Sequence, residues 1–537
     1  MNKKISAFVT SLALLASSAA VMPSFSASAA ELPSSVDLST GEETKDYFPE
    51  IGNQENFNSC TAWATTYYQF SYEVKRALGI KNKEFAYSPA YTYNQINFGS
   101  DQGSNIINAY YLLKNNGALT FDQFGFDRFY RTNPNRTNPD DVFNSLNMRL
   151  ANYDSSIYLP SDIDESYRTD AEVRKLEDDV ITRIKEKLNE GKMVLTSGNF
   201  SNRETNGNDS IIYKNNAAGS GHAYNIVGYD DNFKYTVNGV EMVGAFKILN
   251  SWGENWGENG FAWVMYDAFH IKSDYDNMNY TKDYWEYDDN IKGYRWVTRN
   301  RTRAFSDNQF YTIEVEEKPV KLVSEVELLT NNSYAMVNES SFYDHTYAYY
   351  PSRKNDDEEE RILFCSYNSN NNLISNKSVF SGSLYRDITD LSPDNYGNNH
   401  SYTIRMKNID PKDTHFIVKA MRIKDDKGNV VSEKINKIDA DNFITAYNNG
   451  ARCESFDYTF DVNIAKGDLN YDGILDQADL AKISEYFNII NYRNSDEEKS
   501  NEIKEKFSSF QLELLDANDD DILNTDDYEI LSAAINA

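Results

Sequence analysis

The chain has 537 residues and a formal net charge of −30, which disfavours nucleic acid and anionic membrane surfaces as partners. Its 40% hydrophobic content, with 39 Tyr and 29 Phe, excludes a disordered polymer. The length suits two to four domains, each large enough to bury a core.

Residues 1–30 read as a secretory signal. Lys3 and Lys4 give the charged start, Ala7 to Val21 the apolar run, and Ala27-Ser-Ala29 a small-residue cleavage site. The run is too short to span a bilayer and no later stretch approaches that length, so a secreted, extracellular protein without a membrane span is expected. Three cysteines are too few for a disulfide framework. Cys365 and Cys453 share a later region, where both paired and free states stay open.

Gln54-Glu-Asn-Phe-Asn-Ser-Cys60 leads into a predicted helix from Cys60 to about Lys75. A cysteine there has its thiolate stabilised by unpaired N–H groups and the helix dipole. The upstream Gln54 amide could join a backbone N–H in stabilising an oxyanion. Tyr87 to Asn94 and Gln102 to Gly117 read as further helical structure, with Ile106, Ile107, Tyr110, Leu112 and Leu113 on a packed face. Thr132 to Asp140, with two Asn-Pro steps, reads as a surface loop. A helix from about Ala171 to Glu190 is expected to end at Gly191, followed by a strand at Met193 to Ser197.

Gly221-His222-Ala-Tyr-Asn-Ile-Val-Gly228 opens an apolar run with the pattern of a buried strand, and Asn250-Ser-Trp252-Gly follows Phe246-Lys-Ile-Leu. An imidazole can take a thiol proton, and an amide on its other nitrogen holds the useful tautomer. Asp274 to Tyr294 reads as a long surface loop, and Phe310 to Val315 as the last strand of this part.

Gln54, Cys60, His222 and Asn250, in that order, resemble the papain (C1-type) family of cysteine peptidases over roughly residues 31–316. The resemblance implies a two-lobed α+β peptidase domain acting on polypeptide substrates. Cys60 would be the nucleophile, His222 the base, Asn250 its orienting partner and Gln54 an oxyanion donor. It also implies that Trp252 shields the His–Asn bond, and that Gly103 and Ser104 lie along the cleft. Some features depart from the family pattern. Glu31-Leu-Pro-Ser-Ser-Val-Asp37 follows the predicted cleavage site directly and leaves no room for a long inhibitory propeptide. Phe57 stands where many relatives have a disulfide cysteine, and Thr61 where they often have Trp. Cys60 and His222 lie 162 positions apart, and the polar segment Asn199 to Ala218 reads as an insertion edging the cleft.

Glu316-Glu-Lys-Pro319 reads as a linker into a β-rich domain, residues 317–465. Ser401 to Ile409, Phe416 to Ile423 and Phe456 to Ile464 alternate as half-buried strands, with a hairpin turn at Asp426 to Asn429, which suggests a β-sandwich. The acidic run Asp356 to Glu360 reads as a solvated loop tip.

Residues 466–537 contain two acidic loops of one spacing. The first carries Asp468, Asn470, Asp472, Ile474, Asp476 and Asp479, and the second Asp516, Asn518, Asp520, Ile522, Asn524 and Asp527. Hard oxygens at positions 1, 3, 5, 9 and 12, with a backbone carbonyl at position 7, suit calcium, one ion per loop. The pair, each loop preceding a helix, resembles a type I dockerin. That resemblance implies two Ca2+ ions and attachment to the cohesin domain of a cellulosome scaffold. Asp521 replaces the usual turn glycine, and Asn491 to Gln511 makes a long spacer. A scaffold-borne, non-cleaving binding protein or peptidase inhibitor on a papain-like fold is the alternative; its cue would be a missing catalytic group, and none is missing.

Overall fold

The computed structural model describes residues 32–537 except 97–100, 102, 126–140, 142–143, 161–169, 200–202, 216–220, 270–279, 289–291, 302–308, 331–345, 350–360, 365–379, 388–399, 408–415, 435–454, 463, 494, 519 and 521. The signal, the loop at 132–140, the run 356–360, Cys365, Cys453 and Asp521 therefore lie outside the described residues.

A buried helical rod forms the centre of the first part. It starts as α1 (Cys60–Ala62), continues as a π-helical stretch (Trp63–Phe70) and ends as α2 (Ser71–Leu78). Every residue from Thr61 to Lys75 is buried, so the polar ones must find partners inside the protein. Gln69 Nε2 donates to the carbonyls of Met193 and Tyr311 at 3.2 and 3.0 Å, and its Oε1 accepts from the Tyr110 hydroxyl at 2.6 Å. Asn225 Nδ2 donates to the Ala64 carbonyl at 3.0 Å. Gly79, at φ 67°, ends the rod in the left-handed conformation usual for a helix C-terminus.

The rod packs against α3 (Pro89–Ile96) and α4 (Ile106–Asn116), and against a nine-stranded sheet. That sheet comprises β1 (Ser35–Asp37), β2 (Met148–Tyr158), β3 (Val194–Asn199), β4 (Arg203–Thr205), β5 (Ile211–Asn215), β6 (Gly221–Val237), β7 (Val240–Leu249), β8 (Phe261–Met265) and β11 (Gln309–Glu317). Its order is β2-β11-β3-β6-β7-β8-β5-β4, with β1 paired to β6. The amphipathic α5 (Asp170–Asn189) covers it, and Gly191 follows at φ 76°.

One expectation is overturned. The segment read as a long surface loop contains an antiparallel hairpin, β9 (Tyr280–Asp288) with β10 (Gly293–Arg301), in register from Gly293 opposite Asp288 to Arg301 opposite Tyr280. Tyr280, Tyr284, Trp285, Tyr287, Tyr294 and Trp296 supply the strand preference that its acidic residues obscure.

The next region holds two four-stranded antiparallel sheets. One orders β15 (Phe380–Asp387), β12 (Leu322–Thr330), β17 (Phe416–Asp425) and β18 (Val430–Lys434). The other orders β14 (Arg361–Phe364), β13 (Thr346–Tyr349), β16 (His400–Lys407) and β19 (Ser455–Val462). A buried ion pair, Arg149 to Asp387, joins β2 to the first of these sheets.

The tail consists of α6 (Gln477–Tyr492), α7 (Asp496–Lys506), α8 (Ser509–Leu515) and α9 (Thr525–Asn536). It shares a core with the β-rich region, in which Leu322, Ile423 and Val431 meet Leu469, Phe487 and Phe510. No helix among the described residues is long and apolar enough to cross a membrane.

Candidate active site

Cys60 begins the rod directly after the fully buried Ser59. The approach loop is held from the α3–α4 side. Asp101 accepts from the Asn58 N–H at 2.9 Å and from the Tyr93 hydroxyl at 2.5 Å, while its carbonyl accepts from Asn58 Nδ2 at 2.6 Å. The Thr61 hydroxyl donates to the Ser104 carbonyl at 3.2 Å, so the Gly103–Ser104 segment borders the start of the helix.

His222 is the second residue of β6, opposite Gly198 of β3, and Asn250 follows the last residue of β7. Neighbouring strands thus deliver both side chains to one end of the sheet. His222 Nε2 lies 2.7 Å from Asn250 Oδ1, and both residues are buried. Cys60 hydrogen-bonds His222. Burial pushes the Cys60 thiol up, but the hydrogen bond and charge of His222, with backbone hydrogen bonds at Ala223 and Thr61, outweigh it and hold the thiol below its ordinary value. Trp252 covers the imidazole, with ring centroids 4.7 Å apart and planes inclined at 40°.

Gln54 joins the same site through contacts its motif does not announce. Its Oε1 accepts from the Ser251 hydroxyl at 2.6 Å and its Nε2 donates to the Phe57 carbonyl at 2.7 Å. Tyr68, one turn into the π-helical stretch, donates to the Asn250 carbonyl at 3.2 Å and accepts from the Gly52 N–H at 2.9 Å. Ser251, Tyr68, Asn225 and Asp101 were not legible as site residues, because each acts across a tertiary contact. The serine beside Asn250 was the one available cue.

The two acidic tail loops lie far along the chain and form a separate arrangement. Asp476 and Asn524 cap α6 and α9 through matching capping boxes closed by Asp479 and Asp527. Asp479 Oδ1 accepts from the N–H groups of Leu469 and Asn470, and its Oδ2 from that of Asp476. Asp527 likewise accepts from Ala517 and Asn524. Asp472 and Asp520 each accept from the residue two places on, Ile474 and Ile522. Asn470 and Asn518 donate to those same carboxylates. Asp516 Oδ1 accepts from the Asp520 N–H at 3.2 Å. Among the described residues no three His, Cys, Asp or Glu converge as a metal cluster. The first loop nonetheless has one orphan: Asp468 is fully buried, its Oδ2 accepts from Gly473, and its Oδ1 has no hydrogen-bond partner.

The family model described as papain family cysteine protease matches residues 32–280. No curated protein matches the chain. Xylellain, a cysteine protease from Xylella fastidiosa, is similar at 19% identity, covering 53% of this chain and 87% of its own, with a TM-score of 0.33. The bromelain protease from Ananas comosus, solved with the E64 inhibitor, gives 15% identity, 53% and 100% coverage and a TM-score of 0.33. Procathepsin B S9 from Trypanosoma congolense gives 16% identity, 44% and 73% coverage and a TM-score of 0.32. A thiol, an imidazole and an amide are assembled inside the stretch that matches the papain family cysteine protease model, residues 32–280, and the protein is a papain-like cysteine peptidase.

Proposed function

We propose that this peptidase cleaves peptide bonds through a Cys60–His222–Asn250 triad. The hydrogen-bonded line from Cys60 through His222 to Asn250 carries the reading. Asn250 Oδ1 accepts the proton on Nε2, which leaves Nδ1 for the thiol. The Cys60 thiolate attacks the scissile carbonyl carbon, and the electron pair of that carbonyl moves to oxygen. The Gln54 amide nitrogen carries two hydrogens, of which one is committed to the Phe57 carbonyl. The other, with the Cys60 N–H, binds the oxyanion. Collapse expels the amine, which takes its proton from the imidazolium, and leaves an acyl-thioester. Water then attacks the thioester with His222 as base, releasing the carboxylic acid and regenerating the thiol. Labelling Cys60 with an irreversible thiol reagent, followed by peptide turnover of wild type and Cys60→Ala, tests the assignment. Wild type should lose turnover in step with labelling, and Cys60→Ala should have none. Turnover surviving in Cys60→Ala ends this reading.

We further propose that the protein is exported, with 317–465 as a β-sandwich-like domain, and that 466–537 is a dockerin attaching it to a cohesin on a cellulosome-like scaffold. The orphaned, fully buried Asp468 Oδ1 supports a cation at the first loop, and the oxygen-only donor set fits calcium. Asp468, Asn470, Asp472, the Ile474 carbonyl, Asp476 and Asp479 would hold one ion, and their counterparts Asp516, Asn518, Asp520, Ile522, Asn524 and Asp527 the other. Bound calcium would offset part of the negative charge of each carboxylate cluster. Calorimetry of the full chain against a cohesin, with calcium and with chelator, tests this; binding indifferent to calcium would reject it.

A further inference from the structure

We infer that Arg203 and Asp209, on the hairpin inserted ahead of His222, are positioning residues that hold Trp252 against the imidazole. The inference rests on the triad reading above and adds to it a device specific to this insertion.

The insertion is built into the sheet. β5 pairs in parallel with β8, Ile211 opposite Trp263 and Ile212 opposite Val264, and β4 pairs with β5. The Trp263 N–H donates to the Ser210 carbonyl at 2.8 Å, which fixes the turn to the strand beyond it. Within the turn, the Asn206 N–H donates to the Ile211 carbonyl, and the Ile211 N–H returns to Asn206 Oδ1, both at 3.1 Å. These bonds give the hairpin a fixed position relative to the cleft.

From that position it reaches the site through Asp209. This residue has φ 61°, a left-handed backbone that aspartate adopts infrequently. Its carboxylate is fully engaged. Oδ2 accepts from Arg203 at 2.6 Å and from Trp256 Nε1 at 3.2 Å, and Oδ1 from the Thr205 hydroxyl at 2.9 Å. Burial pushes this carboxyl up, but these hydrogen bonds and the Arg203 charge hold it below the usual range. The Arg203 guanidinium carbon lies 5.1 Å from the centroid of the Trp252 ring, a cation–π arrangement. Trp256 meets Trp252 edge-on at 5.6 Å and 89°. One carboxylate therefore organises both neighbours of Trp252, which itself packs on His222.

The pairing of Arg203 with Asp209 has an electrostatic consequence. The imidazole becomes positive when it takes the thiol proton, and a lone guanidinium beyond the indole would oppose that charge. Its ion pair with Asp209 cancels most of the opposing field while the planar face remains on the ring. The indole in turn keeps water from the 2.7 Å His222–Asn250 bond and limits rotation of the imidazole.

Steady-state peptide kinetics of the full chain provide the test, using Arg203→Ala, Arg203→Lys, Asp209→Asn and Trp252→Ala, with Cys60→Ala as control. Asparagine tolerates the left-handed backbone better than most residues, so Asp209→Asn removes charge while keeping the turn. A misaligned base costs rate, so Arg203→Ala and Asp209→Asn should each lower kcat roughly tenfold and leave KM within about twofold. Arg203→Lys should recover part of the loss, and Arg203→Ala combined with Trp252→Ala should be no worse than Trp252→Ala alone. Unchanged kcat in both Arg203→Ala and Asp209→Asn, in proteins that melt like wild type, would overturn the inference. So would a rise in KM alone, which would make the hairpin a substrate contact. Turnover persisting in Cys60→Ala would instead remove the triad reading beneath it.

Discussion

The Ser251 hydroxyl donates to Gln54 Oε1 at 2.6 Å, while the Gln54 N–H donates to the Ser251 carbonyl at 2.8 Å. The residue after Asn250 thus fixes both the side chain and the backbone of Gln54. Gln54 and Asn250, the proposed oxyanion donor and orienting amide, are thereby tied together, and the Gly253 N–H to the Gly52 carbonyl at 3.0 Å reinforces the tie.

Ser251→Ala should therefore lower kcat although Ser251 touches no reacting atom. Without the hydroxyl, Gln54 Oε1 loses its partner and the side chain can rotate away from the oxyanion. Gln54→Ala deletes the donor itself and should cost about 10²-fold in kcat, as losing one such donor does elsewhere. Ser251→Ala should cost less than that, and Ser251→Thr should restore part of it. Equal kcat for wild type and Ser251→Ala would show that Gln54 holds its place unaided.

Gly52→Ala should destabilise the domain by about 2 kcal/mol, the middle of the range for overpacking a core. A Cβ at Gly52 would lie 2.0 Å from Trp63 Cζ3, and Trp63 is itself buried in the rod. The backbone at Gly52 also binds Tyr68, so relief by moving it would disturb the Asn250 carbonyl as well. Thermal melting of the full chain measures this, and an unshifted melting temperature would contradict it.

The lowered pKa of Cys60 sets a sign for its reactivity. A thiol held below its ordinary value stays ionised to lower pH than a free cysteine, so the alkylation profile with iodoacetamide should lie on the acid side of a free cysteine's. His222→Ala removes both leading contributions that lower the value, leaving burial dominant. Its alkylation profile should then shift to higher pH. The measurement is rate against pH for both proteins. Superimposable profiles would mean that His222 does not govern the thiol.

Cys60, His222 and Asn250 were legible because short local patterns surround them: a polar turn before an aromatic helix, an apolar run opened by Gly221-His222, and Asn250 directly after another apolar run. Their assembly depends on strand order, which places β6 between β3 and β7, and no local pattern states that order. Arg203 and Asp209 were hidden for a different reason. Their segment is polar and Asn-rich, so it reads as an insertion, while its pairing with β8 arises from the sheet edge it meets. The hairpin at 280–301 was misread for the opposite cause: Asp and Lys on the strands masked an aromatic alternation. The acidic loops read clearly because their spacing repeats, and the matching capping boxes at Asp476 and Asn524 follow that repeat.

Asp468 and Asp479 differ in a way that separates a calcium role from a purely structural one. Asp479 receives three backbone N–H groups, so Asp479→Ala should lower the stability of the tail with or without calcium. Asp468 Oδ2 accepts from the Gly473 N–H at 3.0 Å, while its buried Oδ1 has no hydrogen-bond partner. Asp468→Asn preserves an acceptor for Gly473 and removes a buried charge, so in chelator it should cost little or even stabilise. In calcium the same change removes a ligand, and the gain in melting temperature on adding the ion should shrink sharply. Calorimetric scans of the full chain in calcium and in chelator give the four comparisons, with Asp516→Asn reporting on the second loop. Because the tail shares its core with Leu322, Ile423 and Val431, its transition is expected to move together with that of the β-rich region. A wild-type scan indifferent to chelator would remove calcium from this account, and an equal response in Asp468→Asn would place the ion elsewhere.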